Sequence, residues 1–251
     1  MKALPINSVI FVKLRSFEKI VDLAAARKGG HAALLKILAE TKSRPAKTIA
    51  KLSDDRVLSA MTRTVFAGGF GWHIIDRKWP AFEAAFHGFD PHASAFLNDE
   101  QLDALMHDRS IIRSPRKIMG VPQNARFVLD LAAEHGSAAR FFASWPDATF
   151  IDLNALIRKR GVGFGFENAA RFLRALGKPA FIASPDVLAA LVREGVLERS
   201  SSGKKALATI QAALNQWSAD SGYDLTTLSR VLSMSTGAAP VQRPKRYFSR
   251  I

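Results

Sequence analysis

Apolar residues recur at helical spacing along nearly the whole chain, and this pattern limits the fold more than any other feature. Val57, Met61 and Val65 lie four residues apart. The next stripe consists of Ile75, Trp79, Phe82 and Phe86. Spacings of three and four residues place side chains on one face of an α-helix, whereas the alternation typical of strands is nearly absent. The sequence therefore predicts an all-α fold of about ten helices.

Helix-end signals support this prediction. Asn98 and Gln101 form a capping box, and Ser53 precedes two acidic residues at another helix start. Pro122 interrupts one apolar stripe, so we expect it to kink that helix or displace its start. Glycines stand at the expected helix ends: Gly29, Gly30, Gly88, Gly136, Gly177, Gly195 and Gly222.

The chain is strongly basic, with 36 Lys and Arg against 22 Asp and Glu, and a net charge of +14. Because 48% of its residues are hydrophobic, it has enough apolar material for a packed core and is not a disordered basic tail. A folded domain with this charge attracts polyanions, of which nucleic acid is the commonest in a cell. A generally basic proteome is the alternative explanation.

Cysteine is absent, which excludes disulfides, thiolate metal sites and a cysteine nucleophile. No run approaches the length of a membrane span, and the first residues lack a signal-peptide cleavage site. We therefore expect a cytoplasmic protein associated with the nucleoid, without membrane contact, metal or cofactor, and a monomer.

The charge is segregated along the sequence. Residues 109–129 contain five basic residues and no acid, namely Arg109, Arg113, Arg116, Lys117 and Arg126. A second cluster, Arg158-Lys159-Arg160, leads directly into a glycine-rich turn. Residues 240–251 predict a flexible basic tail. Clusters beside helix starts favour phosphate contacts over a merely solvated surface.

The glycine turn, residues 161–165, has the sequence Gly161-Val162-Gly163-Phe164-Gly165. Glycines at alternate positions allow backbone to approach another molecule closely, and the helix that follows presents free N–H groups there. A phosphodiester is a natural ligand, although a tight helix-to-helix turn has the same sequence pattern. No strand precedes the turn, which argues against a dinucleotide-binding site.

Asp186 lies in a helix start, Ser184-Pro185-Asp186, twenty-one residues after Gly165. The helix dipole favours the ionised carboxylate at this position, as stabilisation of a cationic transition state requires. A merely stable helix start has the same sequence, so both interpretations stay open at this point.

Together, the turn and the spaced aspartate resemble the helix-hairpin-helix DNA glycosylase superfamily. Further elements over residues 52–195 resemble its 3-methyladenine DNA glycosylase I family in order and spacing: Phe70-Gly71-Trp72, Phe89-Asp90-Pro91, Ile111-Ile112-Arg113, Lys117-Ile118, Asn124-Ala125-Arg126 and Lys159-Arg160-Gly161. The resemblance implies a two-lobed helical bundle that binds double-stranded DNA with a damaged base.

The resemblance also implies roles for single residues. Trp72 matches a base-pocket aromatic, Thr64 stands at another pocket position, and Phe70 matches the apolar wedge that fills the gap left by a flipped base. Gly68 and Gly69 then allow this wedge loop, residues 68–71, to approach the duplex. The DNA backbone would be held by Arg113, Lys117, Lys159, Arg160, Gly161, Val162, Gly163, Phe164 and Gly165. We expect Arg113 and Lys117 one helical turn apart.

Four departures from related enzymes bear on the substrate and the chemistry. Thr64 replaces the glutamate that recognises methylated adenine in the family, and the family's zinc ligands cannot form without Cys. Conversely, Asp186 supplies a superfamily aspartate that the familiar monofunctional enzyme lacks. Glu167 occupies the place of the nucleophilic lysine of bifunctional relatives, which argues against Schiff-base chemistry.

The resemblance therefore implies a monofunctional N-glycosylase that removes an alkylated purine of the 3-methyladenine type, with Asp186 as its catalytic residue. The alternatives are a non-catalytic DNA-binding protein of the same fold and a glycosylase for another lesion. We divide the chain into a basic N-terminal helical extension (1–51), a glycosylase-like core (52–195), C-terminal helices packed on the core (196–239) and the tail (240–251). The stripe of Leu207, Ile210, Leu214 and Trp217 is expected to pack against the N-terminal helices.

Overall fold

A computed structural model describes residues 14–236, and every regular element in this range is helical. The expected basic tail, 240–251, and the first thirteen residues lie outside it. The α-helices are α1 (Phe17–Lys28), α2 (His31–Ala39), α3 (Ala46–Ile49), α4 (Asp54–Ala67), α5 (Trp72–Ala85), α6 (Pro91–Ala95), α7 (Asp99–His107), α8 (Pro115–Ile118), α9 (Gly120–His135), α10 (Ala138–Ser144), α11 (Phe150–Arg160), α12 (Phe166–Leu176), α13 (Pro185–Arg193), α14 (Lys204–Ser221) and α15 (Leu225–Met234). Single 3₁₀ turns lie at His87–Phe89 and Asp147–Thr149.

The helices form two groups, as the predicted two-lobed all-α fold requires. In one group, α4 packs on α5, α9, α10 and α12, and α6 packs on α9. In the other, α15 packs on α1, α13 and α14. Helix α11 contacts both α12 and α14 and so connects the groups. The proposed division of the chain at residues 51 and 195 stays a prediction.

Helix α4 is the central element of the first group and is buried over most of its length. At its beginning, Arg56 donates two hydrogen bonds to the carboxylate of Glu83 on α5, at 2.9 and 2.8 Å. Ser59 and Trp79 donate to the same carboxylate. Burial raises the pKa of Glu83, but these hydrogen bonds outweigh burial and hold the pKa below its usual value. This ionic network fixes α4 against α5.

The helix ends follow the sequence signals closely. Asn98 and Gln101 form the predicted capping box, and the Ser184 hydroxyl accepts a hydrogen bond from the Val187 amide. Pro122 displaces a helix start, because α9 begins at Gly120 and the proline occupies its third residue, where no intrahelical N–H bond is lost. The described chain has more helices than the sequence predicts, since α3, α6 and α8 are too short to show periodicity.

Helix α14 packs against the N-terminal helix α1 through Trp217, the last residue of the expected stripe. The Trp217 ring lies 5.5 Å from the Phe17 ring, and its indole N–H donates to the Arg15 carbonyl at 2.9 Å. Leu207, Ile210 and Leu214 are buried on the same face of α14. Within residues 14–236, no helix has the length and apolar character needed to cross a membrane.

Candidate nucleic-acid interface

The wedge loop joins α4 to α5 and projects Phe70 from the surface. Gly68 ends α4, and Gly69 has a positive φ of 90°, a conformation that favours glycine. The Phe70 amide donates to the Ala67 carbonyl at 3.1 Å, which keeps the turn tight. The Phe70 side chain is 43% exposed. An exposed phenylalanine at the tip of a tight, glycine-bearing turn has the geometry of an apolar probe.

Two glycines of the glycine turn make close contacts within the protein. Gly163 has φ 88°, and a β-carbon there would lie 2.6 Å from Val65 Cγ1 of α4. A β-carbon on Gly161 would lie 2.8 Å from the Ile157 carbonyl oxygen and 2.9 Å from the Phe164 ring. The sequence predicts that the backbone of this turn approaches another molecule closely. At Gly161 and Gly163 the backbone instead approaches other parts of the protein itself.

A buried asparagine on α9 fixes the same turn. Asn124 Oδ1 accepts from the Val162 amide at 2.7 Å, and its Nδ2 donates to the Val162 carbonyl at 3.1 Å. The Val162 N–H is therefore already used. Asn168, in the first turn of α12, donates to the Gly163 carbonyl and also lies beside Gly68. The glycine turn and the wedge loop thus share one supporting structure.

Gly165 differs from the two inner glycines. Like Gly163 it is exposed, but it precedes the first residue of α12, and a β-carbon there would have no neighbour within 4 Å. The first N–H groups of a helix have no intrahelical acceptor, and the helix dipole is positive at this end. An incoming anion can therefore reach the backbone at Gly165.

The wedge loop and the glycine turn enclose a cleft of about 500 Å³. We call it the basic cleft, and its lining is Val65, Gly68, Arg116, Lys117, Gly120, Arg158, Gly161, Val162, Gly163, Phe164, Gly165 and Asn168. Three of these described residues are cations, and neither Asp nor Glu is among them. Such a concavity concentrates positive potential and attracts phosphate.

Other predicted cations lie differently. Arg113 is exposed in the irregular segment before α8, so the expectation that it lies one helical turn from Lys117 is wrong; Pro115 starts a new helix between them. Lys159 is exposed beside the turn. Arg160 pairs with Asp130 at 2.9 Å and lies over the Phe127 ring, which directs its charge towards α9.

Lys117 lines the basic cleft and also supports the wedge loop. Its ammonium donates to the carbonyls of Phe66 and Gly68, at 3.2 and 2.6 Å, and lies 4.9 Å from the centre of the Phe70 ring. Burial lowers the pKa of Lys117. The side chain is therefore held inside the wall of the cleft.

The two expected base-pocket residues lie on α4 and α5. Trp72 is the first residue of α5, directly after the wedge loop, and is half-buried against the core. Thr64 is buried, and its hydroxyl donates to the Ala60 carbonyl of its own helix at 2.9 Å. The position at which the sequence predicts a pocket residue is thus neutral, and its hydroxyl is bonded to the helix backbone.

Asp186 is exposed in the first turn of α13. The backbone carbonyl of Asp186 accepts a hydrogen bond from Thr236 at 2.8 Å, which fixes this helix start. No residue of α13 is among the residues that line the basic cleft. Its catalytic role stays a prediction. Glu167 is also exposed and pairs with Arg171 one turn along α12. Over the described part of the chain, no group of three or more metal-ligating side chains is present.

Several residues of this interface are not distinguished by sequence reasoning. Arg116 and Arg158 belong to recognised basic clusters, but the clusters do not show which of their members face the cleft. Asn124 lies in the Asn124-Ala125-Arg126 element, which is a usable signal for a structural role. Asn168 carries no signal beyond its place in the first turn of a helix.

Comparison with known proteins covers the same region. The family model described as methyladenine glycosylase matches residues 48–175, about half of the chain. A curated relative, DNA-3-methyladenine glycosylase 1 of Escherichia coli (strain K12), is 35% identical over 63 residues, which are 25% of this chain and 34% of that protein. The chain thus spans about a third of the length of the curated relative it matches.

Solved structures with a similar fold cover more of the chain. The 8-oxoguanine DNA glycosylase of Methanocaldococcus jannaschii aligns with 86% of this chain and 92% of its own, at 13% identity and a TM-score of 0.53. The 8-oxoguanine glycosylase/lyase of the same organism, in complex with a 15mer DNA containing 8-oxoguanine, covers 86% and 95% at 14% identity and a TM-score of 0.50. At these identities the likeness concerns the fold alone.

Proposed function

The chain belongs to the methyladenine glycosylase family, and we propose that it hydrolyses the N-glycosidic bond of an alkylated purine in double-stranded DNA. One observation carries this proposal: Gly68 of the wedge loop and the glycine turn line one basic cleft whose described lining contains no acidic residue, and the exposed Phe70 follows Gly68 by two residues. A surface of this kind suits a bent or opened duplex, because it offers cations to the phosphates and an apolar probe to the base stack.

DNA is held through the cleft and its outer edge. Arg116 and Arg158 meet the phosphates, and Gly165 with the free amides of α12 receives a further phosphate oxygen. Phe70 enters the helix and occupies the gap left by the extruded nucleotide. Trp72, which directly follows the wedge loop, stacks on the flipped base.

The chemistry asks little of the protein. Alkylation at a ring nitrogen makes the purine cationic, so it leaves as a neutral base when the C1′–N bond breaks and takes the bonding electrons. A water oxygen then bonds to C1′ and loses a proton. Asp186 orients this water or stabilises the oxocarbenium charge on the sugar. Glu167 cannot act as an amine nucleophile, so the strand is not cleaved.

The test is incubation of the full chain with duplex DNA treated with a methylating agent, followed by chromatographic identification of the free bases. We expect release of 3-methyladenine without strand cleavage. Release of a different alkylpurine or of a deaminated base from a lesion panel keeps the mechanism and changes the substrate.

The variant Asp186→Asn tests the catalytic assignment. It should abolish excision and leave DNA affinity nearly unchanged, because Asp186 is not among the residues that line the basic cleft. Glu167→Gln is the matched control, since it removes an exposed carboxylate from the first turn of the preceding helix and should retain excision. Equal excision by Asp186→Asn and the parent chain removes Asp186 from the mechanism.

A second candidate function is DNA binding without catalysis. Thr64 favours it, because its hydroxyl is bonded to Ala60 and no charge stands at this pocket position. Absence of any released base, combined with DNA binding that weakens as salt rises, would decide for this candidate.

A further inference from the structure

Lys117 supplies donors to the end of a helix that is distant from it in sequence. The last carbonyls of an α-helix have no intrahelical partner. At the end of α4, the carbonyls of Phe66 and Gly68 accept from the Lys117 ammonium, which belongs to α8 about fifty residues later. A positive charge at this end also interacts favourably with the helix dipole. Lys117 thus acts as a cap supplied by another element.

The same ammonium lies near two aromatic rings, one on α4 and one on the wedge loop. It is 5.7 Å from the centre of the Phe66 ring and 4.9 Å from that of Phe70. Cations within about 6 Å of a ring centre are attracted to the ring face. Because Phe66 is buried and Phe70 is exposed, this ammonium links a fixed ring to the ring at the tip of the loop.

The position of Lys117 in the cleft wall adds a third interaction. An ammonium has three N–H donors, and two are directed to the carbonyls of Phe66 and Gly68. Lys117 nevertheless lines the basic cleft beside Arg116. A phosphate that enters the cleft therefore meets the same ammonium that holds the wedge loop.

We infer that Lys117 is a positioning residue that couples phosphate binding in the basic cleft to the placement of Phe70. The coupling to Phe70 rests on the proposed function, since it matters only if Phe70 acts as a wedge. The fixing of the wedge loop by Lys117 concerns the DNA-free protein and is tested separately.

The first experiment is hydrogen exchange of the wedge-loop amides in the DNA-free full chain. Lys117→Met keeps the length of the side chain but removes its charge and donors, and we expect exchange at residues 68–71 to accelerate roughly tenfold. Lys117→Arg, which retains charge and donors, should restore most of the protection. Arg116→Met is the matched control, because it removes a neighbouring cleft cation and should leave the loop unchanged. Unchanged exchange in Lys117→Met overturns the inference, provided that the amides of α9 confirm a folded protein.

The second experiment separates DNA binding from base unstacking. The probe is a duplex with 2-aminopurine next to a mismatch, whose fluorescence rises when the base leaves the stack. Arg116→Met should lower the affinity but reach the parent fluorescence at saturation, whereas Lys117→Met should lower both. Equal plateaus for the two variants overturn the coupling and make Lys117 an ordinary phosphate contact.

The two experiments also distinguish the inference from the proposed function. If the parent chain binds this duplex without unstacking a base, the coupling fails, whereas the proposed function fails if no base is released from the methylated duplex. The exchange data on the DNA-free protein then still decide whether Lys117 fixes the loop.

Discussion

The inner half of the glycine turn, residues 161–163, and its outer edge at Gly165 use the same residue type for opposite purposes. At the inner half, Gly163 brings the backbone against Val65, and Asn124 binds both polar groups of Val162. At the outer edge, a β-carbon on Gly165 would have no neighbour within 4 Å. The inner glycines serve the fold, and the outer glycine leaves the backbone accessible to a ligand.

This difference shows how a small turn can be both rigid and accessible. A turn that binds phosphate through its backbone must hold its remaining N–H groups in fixed directions, since an ordering cost would otherwise reduce the affinity. Contacts with Asn124 and Val65 already order the turn when the protein folds. Under the proposed function, a short, fixed edge beside the cations of the basic cleft remains for DNA.

The largest effect is expected for Gly163→Ala. We expect a loss of about 3 kcal/mol in the free energy of unfolding, because a β-carbon meets both an unfavourable positive φ and the Val65 side chain. Gly165→Ala is the matched change and should shift this free energy by less than about 0.5 kcal/mol. Denaturant unfolding measures both, and equal losses would abolish the distinction between inner and outer glycines.

The next effect concerns Asn124→Ala, which leaves the Val162 N–H and carbonyl without their partner. We expect the free energy of unfolding to fall by about 2 kcal/mol, the usual size for the loss of two half-buried hydrogen bonds. Gln123→Ala, on an exposed face of the same helix, should have no measurable effect. If Asn124→Ala is as stable as the parent chain, the asparagine does not fix the turn.

The smallest effect separates two neighbouring arginines. Arg158→Ala should lower DNA affinity about fivefold and reduce the salt dependence by about one counterion, since Arg158 lines the basic cleft. Arg160→Ala should change both quantities less, because Asp130 already pairs with its guanidinium. Binding titrations over a salt series give both numbers, and a larger effect at Arg160 would contradict the assignment.

Much of the fold can be predicted because its signals are local. The capping box at Asn98 and the serine cap at Ser184 mark helix starts through side chains within three residues, and both are confirmed. Helix α8 could not be predicted in this way, since four residues do not complete a periodic stripe. Pro80 lies inside α5, and the helix continues beyond it to Ala85, although a proline in a helix interior usually breaks or kinks the helix.

The site is predictable in its backbone parts but less so in its side chains. The wedge loop and the glycine turn are visible as glycine runs, and the basic cleft brings them together. Whether Arg158 or Arg160 faces the cleft depends on the rotation of α11 about its axis, which packing on α12 and α14 determines. The exact position of Asp186 relative to a bound sugar is likewise a tertiary property.

The contact between Trp217 and the Arg15 carbonyl joins positions 202 residues apart. During synthesis, the surface of α14 and α15 against which α1 packs does not form until nearly all of the described chain has left the ribosome. The first group of helices contains the wedge loop and much of the cleft. It can therefore collapse early through shorter-range contacts, before α1 has packed against its partner helices. Docking of the N-terminal helices is then a late event in folding, although they are the first to be made.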